Sequence, residues 1–140
     1  MAFTGNAFCT SAKVGFLTGT YAPLTDTMKI ALYTNSATLD ATTTAYSATN
    51  EVVGTGYTAG GNTLTGNAIS YSGTTAWITF SDSAWTTATI TARGALIYDS
   101  SKSNAAIAVL DFGADKTSTA GTFTVQMPVA AASTALIRIA

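Results

Sequence analysis

The sequence predicts an all-β protein, an antiparallel β-sandwich or jelly roll with a short N-terminal helix or arm. Thr makes up about a fifth of the 140 residues, and this β-branched, half-polar side chain suits a pleated surface with one solvated face. Several short runs alternate apolar and polar residues, which is the period of a strand. Clusters of Gly, Asn, Asp and Ser separate these runs. The continuous pattern predicts one domain over residues 1–140, with an N-terminal arm of helix and loop over residues 1–27.

A helix is predicted at the start of the chain, over residues 6–18. Thr10 or Ser11 is placed to cap its N-terminus, and Gly19 is placed to end it. The apolar side chains that recur at roughly helical spacing are Phe8, Val14 and Leu17. This segment is therefore expected to be a short arm or plug.

The strands are predicted from runs of alternating or continuously apolar residues. In residues 28–34, MKIALYT, large apolar side chains occupy every second position, so this strand is expected to be half-buried. The later runs are TAWITFSD (75–82), TATITARGALIYD (87–99), NAAIAVLDF (104–112), GTFTVQMP (121–128) and TALIRIA (134–140). Five to seven strands are expected in all.

Turn residues between the runs predict how the later strands connect. YDSSKSN, residues 98–104, has the Asp, Ser and Asn content of a hairpin loop. DFGADKTSTAG, residues 111–121, has the same kind of composition and predicts a second hairpin loop. Three successive antiparallel strands are therefore expected from Thr89 to about Met127. Residues 36–50, SATLDATTTAYSATN, predict a long surface loop, and such loops often carry interaction surfaces.

Charge is scarce, at 9% of the chain, where soluble domains typically carry about 25%. The net charge is −1 and the six Lys and Arg residues are scattered, so nucleic-acid binding is not expected. No stretch approaches the ~20 consecutive apolar residues of a membrane helix. The N-terminus lacks the pattern of a secretory signal, so synthesis in a cytoplasm is expected. A sparsely charged surface of this kind also favours residence in an assembly.

The glycine-rich stretch GTGYTAGGNTLTG, residues 54–66, raises the question of a phosphate-binding loop. Such a loop needs a following helix and a Lys that meets the phosphates, and no Lys lies between Lys29 and Arg93. The stretch is interpreted as a bulge or bend followed by a tight turn at residues 60–62 with positive φ. Tyr57 is then held between turns, either packed inward or facing a partner.

No residue pattern predicts catalysis. The chain has no His, and Cys9 has no marked activating partner, so it is expected to be a small buried apolar residue. The motif DFG, residues 111–113, lacks every other kinase element. Asp111 and Asp115 share one predicted loop, where a weakly bound calcium ion and solvated turn carboxylates are the alternatives. We expect no enzyme activity, no cofactor and no metal.

Aromatic and arginine side chains have further predicted roles. Exposed aromatic residues beside polar loops suit sugar binding, and core or subunit packing is the alternative for each of them. The candidates are Tyr46, Tyr57, Tyr71, Trp77 and Trp85. Arg93 and Arg138 lie inside apolar strands, so each is expected to pair with a carboxylate or to lie at an edge.

A family resemblance covers nearly the whole chain. The segments that carry it are MKIALYTNSATLDATTTAYSATNEVVGTGYTAGGNTLTG (28–66), ITARGALIYDSS (90–101), AVLDFGADKTSTAGTFTVQMP (108–128) and ALIRIA (135–140). They resemble small virion proteins encoded by tailed bacteriophages. The resemblance implies a structural component of the particle, most similar to a capsid decoration or cement protein, and it transfers no catalytic motif.

The resemblance also implies partners and a location. A cement protein binds the major capsid protein and itself, as a homodimer or homotrimer, on the capsid surface of a virion assembled in the host bacterial cytoplasm. Contact with neighbours is expected through the early aromatics, with the alternative that this arm folds back onto its own chain, and through the 36–50 loop. The predicted interface residues are Phe3, Phe8, Phe16, Leu39, Tyr46 and Tyr57. The alternative function is a receptor- or glycan-binding module of a tail, tail fibre or neck.

Overall fold

The computed structural model describes residues 3–140 and confirms an all-β fold with one short helix. Within these residues there are eight strands in two sheets. The elements are β1 (Ala7–Phe8), α1 (Thr10–Leu17), β2 (Met28–Tyr33), β3 (Asn62–Thr63), β4 (Ala68–Ser72), β5 (Thr75–Thr79), β6 (Ser83–Asp99), β7 (Ala105–Val125) and β8 (Ile137–Ile139). The larger sheet has the order β1-β7-β6-β2-β3, and the smaller has the order β4-β5-β8.

Strand β2 lies inside the larger sheet, and the expectation that it is half-buried was wrong. It pairs antiparallel with β6 over its whole length, from Met28 opposite Asp99 to Tyr33 opposite Gly94. Five of its six residues are buried, and Lys29 alone is intermediate. The physical reason is that both faces of this strand are covered, so the small residue Ala31 is buried as fully as its large neighbours.

Strands β6 and β7 form one long antiparallel ribbon joined by a turn at residues 100–104, as predicted. The second hairpin loop, predicted at residues 111–121, was wrong, because β7 continues through this segment. Two long strands therefore replace the three that were expected. Asp111 does bond the Gly113 N–H at 2.8 Å, as a turn-forming Asp does. The result is an irregularity between Ala92 and Gly94 rather than a reversal of the chain.

The ribbon of β6 and β7 bends strongly. Its pairing register shifts at four places, and such irregularities bend a strand and increase its twist. The bend brings Phe112 and Phe123 together with ring centroids 6.3 Å apart, although eleven positions separate them in one strand. A concave side is thereby formed along the edge of β7.

The N-terminal helix is shorter than predicted. Residues 7–8 form β1 against β7, and the helix begins at Thr10 rather than at residue 6. Cys9 occupies the N-cap position without a side-chain cap, so neither Thr10 nor Ser11 caps the helix. The Cys9 N–H is held by the Ile107 carbonyl at 2.9 Å, which fixes where the chain leaves the sheet. Gly19 ends the helix at φ +74°, as predicted.

The glycine-rich stretch is a close-packed turn segment, and a helix does not follow it. Gly56, Gly60 and Gly61 have φ of +83°, +93° and +73°, as the predicted turns require. A Cβ at Gly61 would collide with the Ile30 carbonyl oxygen. The glycines therefore allow backbone segments to approach one another closely.

Residues 36–50 form a loop, as predicted, and a buried carboxylate holds this loop to the sheet. Glu51 Oε2 accepts a hydrogen bond from the Tyr46 hydroxyl at 2.6 Å, while Oε1 accepts from the Tyr57 hydroxyl at 2.6 Å and the Gly60 N–H at 2.7 Å. The Tyr57 hydroxyl also accepts from the Leu32 N–H at 2.9 Å. We call Glu51, Tyr46, Tyr57 and Gly60 the Glu51 cluster.

Removing the Tyr57 hydroxyl is expected to destabilise the fold. Tyr57→Phe leaves the Leu32 N–H without a partner and removes one of the two hydrogen bonds to Glu51 Oε1, which keeps the bond from the Gly60 N–H. A buried unsatisfied polar group costs about 1–3 kcal/mol. Urea unfolding measures this as a lower midpoint at unchanged slope.

The matched control is Tyr71→Phe, because Tyr71 is 76% exposed. This variant is expected to remain within about 0.5 kcal/mol of the parent. Equal stabilities of the two variants would contradict a structural role for the Tyr57 hydroxyl.

Candidate interaction surface

The predicted arm residues pack on their own chain, so the second of the two alternatives for the arm is observed. Phe3 is buried, forms a parallel bridge with Leu39 and lies against Gly94. Phe8 and Phe16 are half-buried, with ring centroids 5.8 Å apart in an edge-on arrangement. The structure therefore brings Phe3 together with Leu39, and Phe8 together with Phe16, as two separate contacts.

The predicted site residues Tyr46 and Tyr57 both belong to the Glu51 cluster. Of the two alternatives for Tyr57, packing inward or facing a partner, the structure shows the first. Burial, and then the hydrogen bond to Glu51, raise the pKa of both Tyr46 and Tyr57. Both hydroxyls therefore stay protonated and act as fixed donors to the carboxylate.

The remaining aromatic candidates differ in exposure. Trp85 is buried, with its ring centroid 5.8 Å from that of Tyr57, and Trp77 is half-buried. Tyr71 projects into solvent from β4. Of these aromatic residues, Tyr71 is the most exposed and thus the best placed to contact a partner.

Asp111 and Asp115, for which a bound calcium ion and solvated turn carboxylates were the alternatives, have separate partners. Asp111 Oδ1 accepts from Arg93 Nε at 3.1 Å, whereas Asp115 Oδ2 accepts from Asn35 Nδ2 at 3.1 Å. Burial raises the pKa of Asp111, but the Gly113 N–H and the Arg93 guanidinium outweigh this and lower it overall. The prediction that Arg93 pairs with a carboxylate is confirmed. Within residues 3–140, no three His, Cys, Asp or Glu side chains are grouped to hold a metal ion.

The remaining Arg and Cys occupy unreactive positions. Arg138 lies on the edge strand β8 and donates to the Ala132 carbonyl at 3.1 Å, which confirms its predicted edge position. Cys9 is fully buried, and burial raises the pKa of its thiol to about 11. The thiol is therefore protonated at neutral pH and is not a nucleophile.

A pair of carboxyl groups closes the turn between β6 and β7. Asp99 is fully buried; its Oδ1 accepts from the Ser101 N–H at 3.0 Å, whereas its buried Oδ2 has no partner in the described part of the chain. Burial most strongly raises the pKa of Asp99; bonds from Ser101 oppose this, and the adjacent Asp26 carboxyl adds to it. Lys102 Nζ lies 3.9 Å from Asp26 Oδ1. Ionisation of the Asp99 carboxyl is therefore disfavoured relative to that of a solvated Asp.

One apolar groove lies between the three-stranded sheet and the end of α1. We call it the small-sheet groove; it is a cavity of about 230 Å³. Its lining includes Phe16, Tyr21, Ile69, Ile78, Ile137 and Ile139. The register places Ile69, Ile78 and Ile137 directly opposite one another across the three strands, so they share one face.

The rim of the small-sheet groove continues the apolar surface into solvent. Tyr71 and Ile139 share the face of Ile69 in the sheet register and are 76% and 58% exposed. Leu17 and Leu24, beside lining residues in the chain, are 88% and 58% exposed. Residues 52–81 contain no charged side chain. An uncharged apolar patch of this kind marks an interaction site.

A second cavity, of about 530 Å³, lies on the concave side of the bent β7. Its lining includes Asn6, Asp111, Phe112, Lys116, Phe123 and Gln126. Its volume falls in the range of about 300–1,000 Å³ that is typical of small-molecule sites. Aromatic rings beside hydroxyl, amide and charged groups suit a polar ligand with an apolar face.

In residues 3–140, no helix is long and apolar enough to cross a membrane.

The Asp99 carboxyl predicts a specific pH dependence. Because its folded pKa is raised, its contribution to stability is complete below the unfolded value of about 3.9 and is lost as pH rises through the folded pKa. Asp99→Asn keeps the shape and the Oδ1 acceptor but cannot ionise. The variant is expected to gain stability relative to the parent as pH rises from about 4 to 7.

Urea unfolding of both proteins across this pH range measures the difference. Ser100→Ala is the matched control in the same turn, since Ser100 carries no titratable group. Parallel curves for the parent and Asp99→Asn would show that the carboxyl does not titrate as described.

No protein-family model, no curated protein and no solved structure matches the chain.

Proposed function

We propose that this chain is a non-enzymatic structural protein of a tailed-bacteriophage virion, a decoration or cement protein that binds the major capsid protein lattice and stabilises the head. The supporting observation is the small-sheet groove, an uncharged apolar surface with exposed large side chains at its rim. The resemblance of the sequence to small virion proteins points to the same role. The protein would be made in the bacterial cytoplasm and would act on the capsid surface.

The proposed mechanism is mechanical. A side chain such as Ile139, 58% exposed in the free protein, gains burial free energy when a capsid subunit covers it, at about 25 cal/mol per Å² of apolar surface. A protein that binds only the assembled lattice stabilises that lattice by mass action. Modest contacts repeated over many copies therefore become a large stabilisation of the head.

Two carboxylates, Glu51 and Asp111, support a non-enzymatic role because other groups of the chain already bind them. Glu51 is engaged by two tyrosines and a backbone N–H, and Asp111 is engaged by Arg93. Catalysis by general acid and base would require carboxylates poised in a cleft near a reacting proton. Asp111 does line the β7 cavity, but its ion pair with Arg93 lowers its pKa and favours an anchoring role.

The β7 cavity supports a second candidate function, a receptor- or glycan-binding module of a tail, tail fibre or neck. Phe112 and Phe123 supply apolar faces, while Asn6, Lys116 and Gln126 supply hydrogen-bonding groups. Sugars are bound by this combination of stacking and polar contacts. A tail component would be present in far fewer copies than a shell component.

Copy number in the particle separates the two functions. For a decoration protein, mass spectrometry of purified virions of the encoding phage is expected to give a molar amount comparable with that of the major capsid protein. A symmetric cryo-EM map of the head is expected to place the protein on the shell. A handful of copies located at the tail would favour the second function, and absence from the virion would overturn both.

A surface variant tests the docking role of the small-sheet groove. Ile139→Asp places a charge in the apolar lining, and a loss of affinity for heads that lack the protein of roughly tenfold or more, about 1.4 kcal/mol, is expected. Co-sedimentation of purified protein with such heads measures the bound fraction.

The matched control is Val53→Asp, because Val53 is 95% exposed and lies outside the groove lining. This variant is expected to bind like the parent. Undiminished binding of Ile139→Asp, with both variants folded by circular dichroism, would remove the groove as the docking surface.

A further inference from the structure

Strand β4 is an open sheet edge without the usual protection. It is one of the two outer strands of the three-stranded sheet, and all five of its residues, Ala68–Ser72, are exposed. Sheet edges in soluble proteins are normally shielded by charged side chains, Pro or bulges. β4 contains none of these, and its pairing with β5 has no register shift. The edge is therefore able to pair with another strand.

The hairpin turn determines which backbone groups point outward. Gly73, at φ +58°, and Thr74 form a two-residue loop between the paired residues Ser72 and Thr75. A two-residue loop closes on a hydrogen-bonded pair, and hydrogen-bonded and non-hydrogen-bonded pairs then alternate along the strands. The N–H and C=O groups of Ile69 and Tyr71 consequently point away from β5, toward the open edge.

We propose that β4 pairs antiparallel with β4 of a second copy of this chain, on a two-fold axis at Ser70. In this register, Ile69 of each copy lies opposite Tyr71 of the other. Both residues direct their backbone groups outward, so each of these two pairs exchanges both hydrogen bonds. Ser70 lies opposite Ser70 of the second copy, as a non-hydrogen-bonded pair. The result is one continuous six-stranded sheet.

The side chains of β4 suit this symmetric register. Two Ile69–Tyr71 contacts form between the copies, and pairs of an aromatic with a β-branched side chain stabilise antiparallel strands. Directly opposite residues share a face, so these contacts extend the face that already carries Ile78 and Ile137. The small-sheet grooves of the two copies then flank a common apolar face.

The absence of charge at the open edge of β4 favours a second copy of this chain as its partner. A partner of opposite charge would be recognised by charged residues at the edge, but β4, its hairpin turn and β5 contain none. Two uncharged edges meet without burying an unpaired charge, and a two-fold interface requires a self-complementary surface. This inference deepens the self-association of the proposed decoration protein, and its experiments use the purified chain without virions.

The oligomeric state is the first measurement. Sedimentation equilibrium or light scattering over a concentration series is expected to give a mass that approaches twice the 14.2 kDa of one chain. A monomer at every concentration would overturn the proposal.

Cysteine substitution tests the register. Ser70→Cys places two thiols opposite each other at a non-hydrogen-bonded pair, where Cα atoms lie about 4.5 Å apart, within the range of a disulfide. Copper–phenanthroline with dissolved oxygen as oxidant, which removes two electrons and two protons from the two thiols, is expected to give covalent dimer. Ser72→Cys is the matched control, with thiols about 13 Å apart in this register, and is expected to remain uncrosslinked. The native Cys9 is fully buried.

Charge substitution tests the two-fold axis. Ser70→Lys and Ser70→Asp each place like charges directly opposite across the interface, which is destabilising, so each variant alone is expected to be monomeric. An equal mixture of the two is expected to recover the dimer mass through an opposite-charge pair. Because Ser70 is exposed, both variants are expected to fold like the parent.

The outcomes separate this inference from the proposed function. Preferential crosslinking of Ser72→Cys, or failure of the charge mixture to recover the dimer, would overturn pairing on Ser70 without affecting virion location. Absence from the virion would overturn the decoration role while leaving a measured dimer in place.

Discussion

The buried carboxylate of Glu51 organises one side of the larger sheet. A buried carboxylate is costly unless it is hydrogen-bonded, and this one accepts from Tyr46, Tyr57 and the Gly60 N–H. Strand β3 pairs with Lys29 and Ile30 on the outer edge of β2, and the Leu64 N–H that follows it bonds the Met28 carbonyl. Beyond them, the Tyr57 hydroxyl accepts from the Leu32 N–H and thereby takes the place of a missing strand. The loop on either side of Glu51 therefore completes the sheet edge.

The two sheets consequently differ in whether the outer backbone groups of their strands are hydrogen-bonded within the chain. On β2, the chain satisfies the edge internally: the Val52 N–H bonds the Leu32 carbonyl at 2.9 Å, and the Thr34 N–H bonds the Asn50 carbonyl at 3.0 Å. On β4, the edge has no comparable cover. A chain that secures one edge with a buried carboxylate and leaves another open concentrates its capacity for association at the open one.

The sequence predicted the fold class, the 98–104 turn and the glycine turns, because these depend on local chemistry and strand period. It did not predict the length of β7, because Asp111 and Gly113 form a local turn-like bond while pairing with β6 resumes at Lys116. Only the neighbouring strand determines whether such a segment reverses. The prediction that β2 is half-buried was wrong for the same reason, because segments distant in sequence cover its second face.

The candidate site was only partly accessible from the sequence. Phe16 lines the small-sheet groove, whereas Phe3 and Leu39 are buried and Tyr46 and Tyr57 belong to the Glu51 cluster. Exposed aromatic and buried aromatic residues look alike in a single sequence. One signal did exist for the Glu51 cluster: Glu51 is the sole charged residue between Asp40 and Asp82, which marks a carboxylate that requires internal partners.

The scarcity of charge connects the fold to an assembled state. The outward surface of β6 and β7 is covered by threonines, and the Thr91 and Thr117 hydroxyls bond each other at 2.9 Å. These hydroxyls make the sheet surface polar without adding charge. A net charge of −1 provides little repulsion between neighbouring copies, which is a liability for a concentrated monomer. The same property is an advantage when many copies lie close together on one shell, and it therefore supports the proposed decoration role over the proposed binding module.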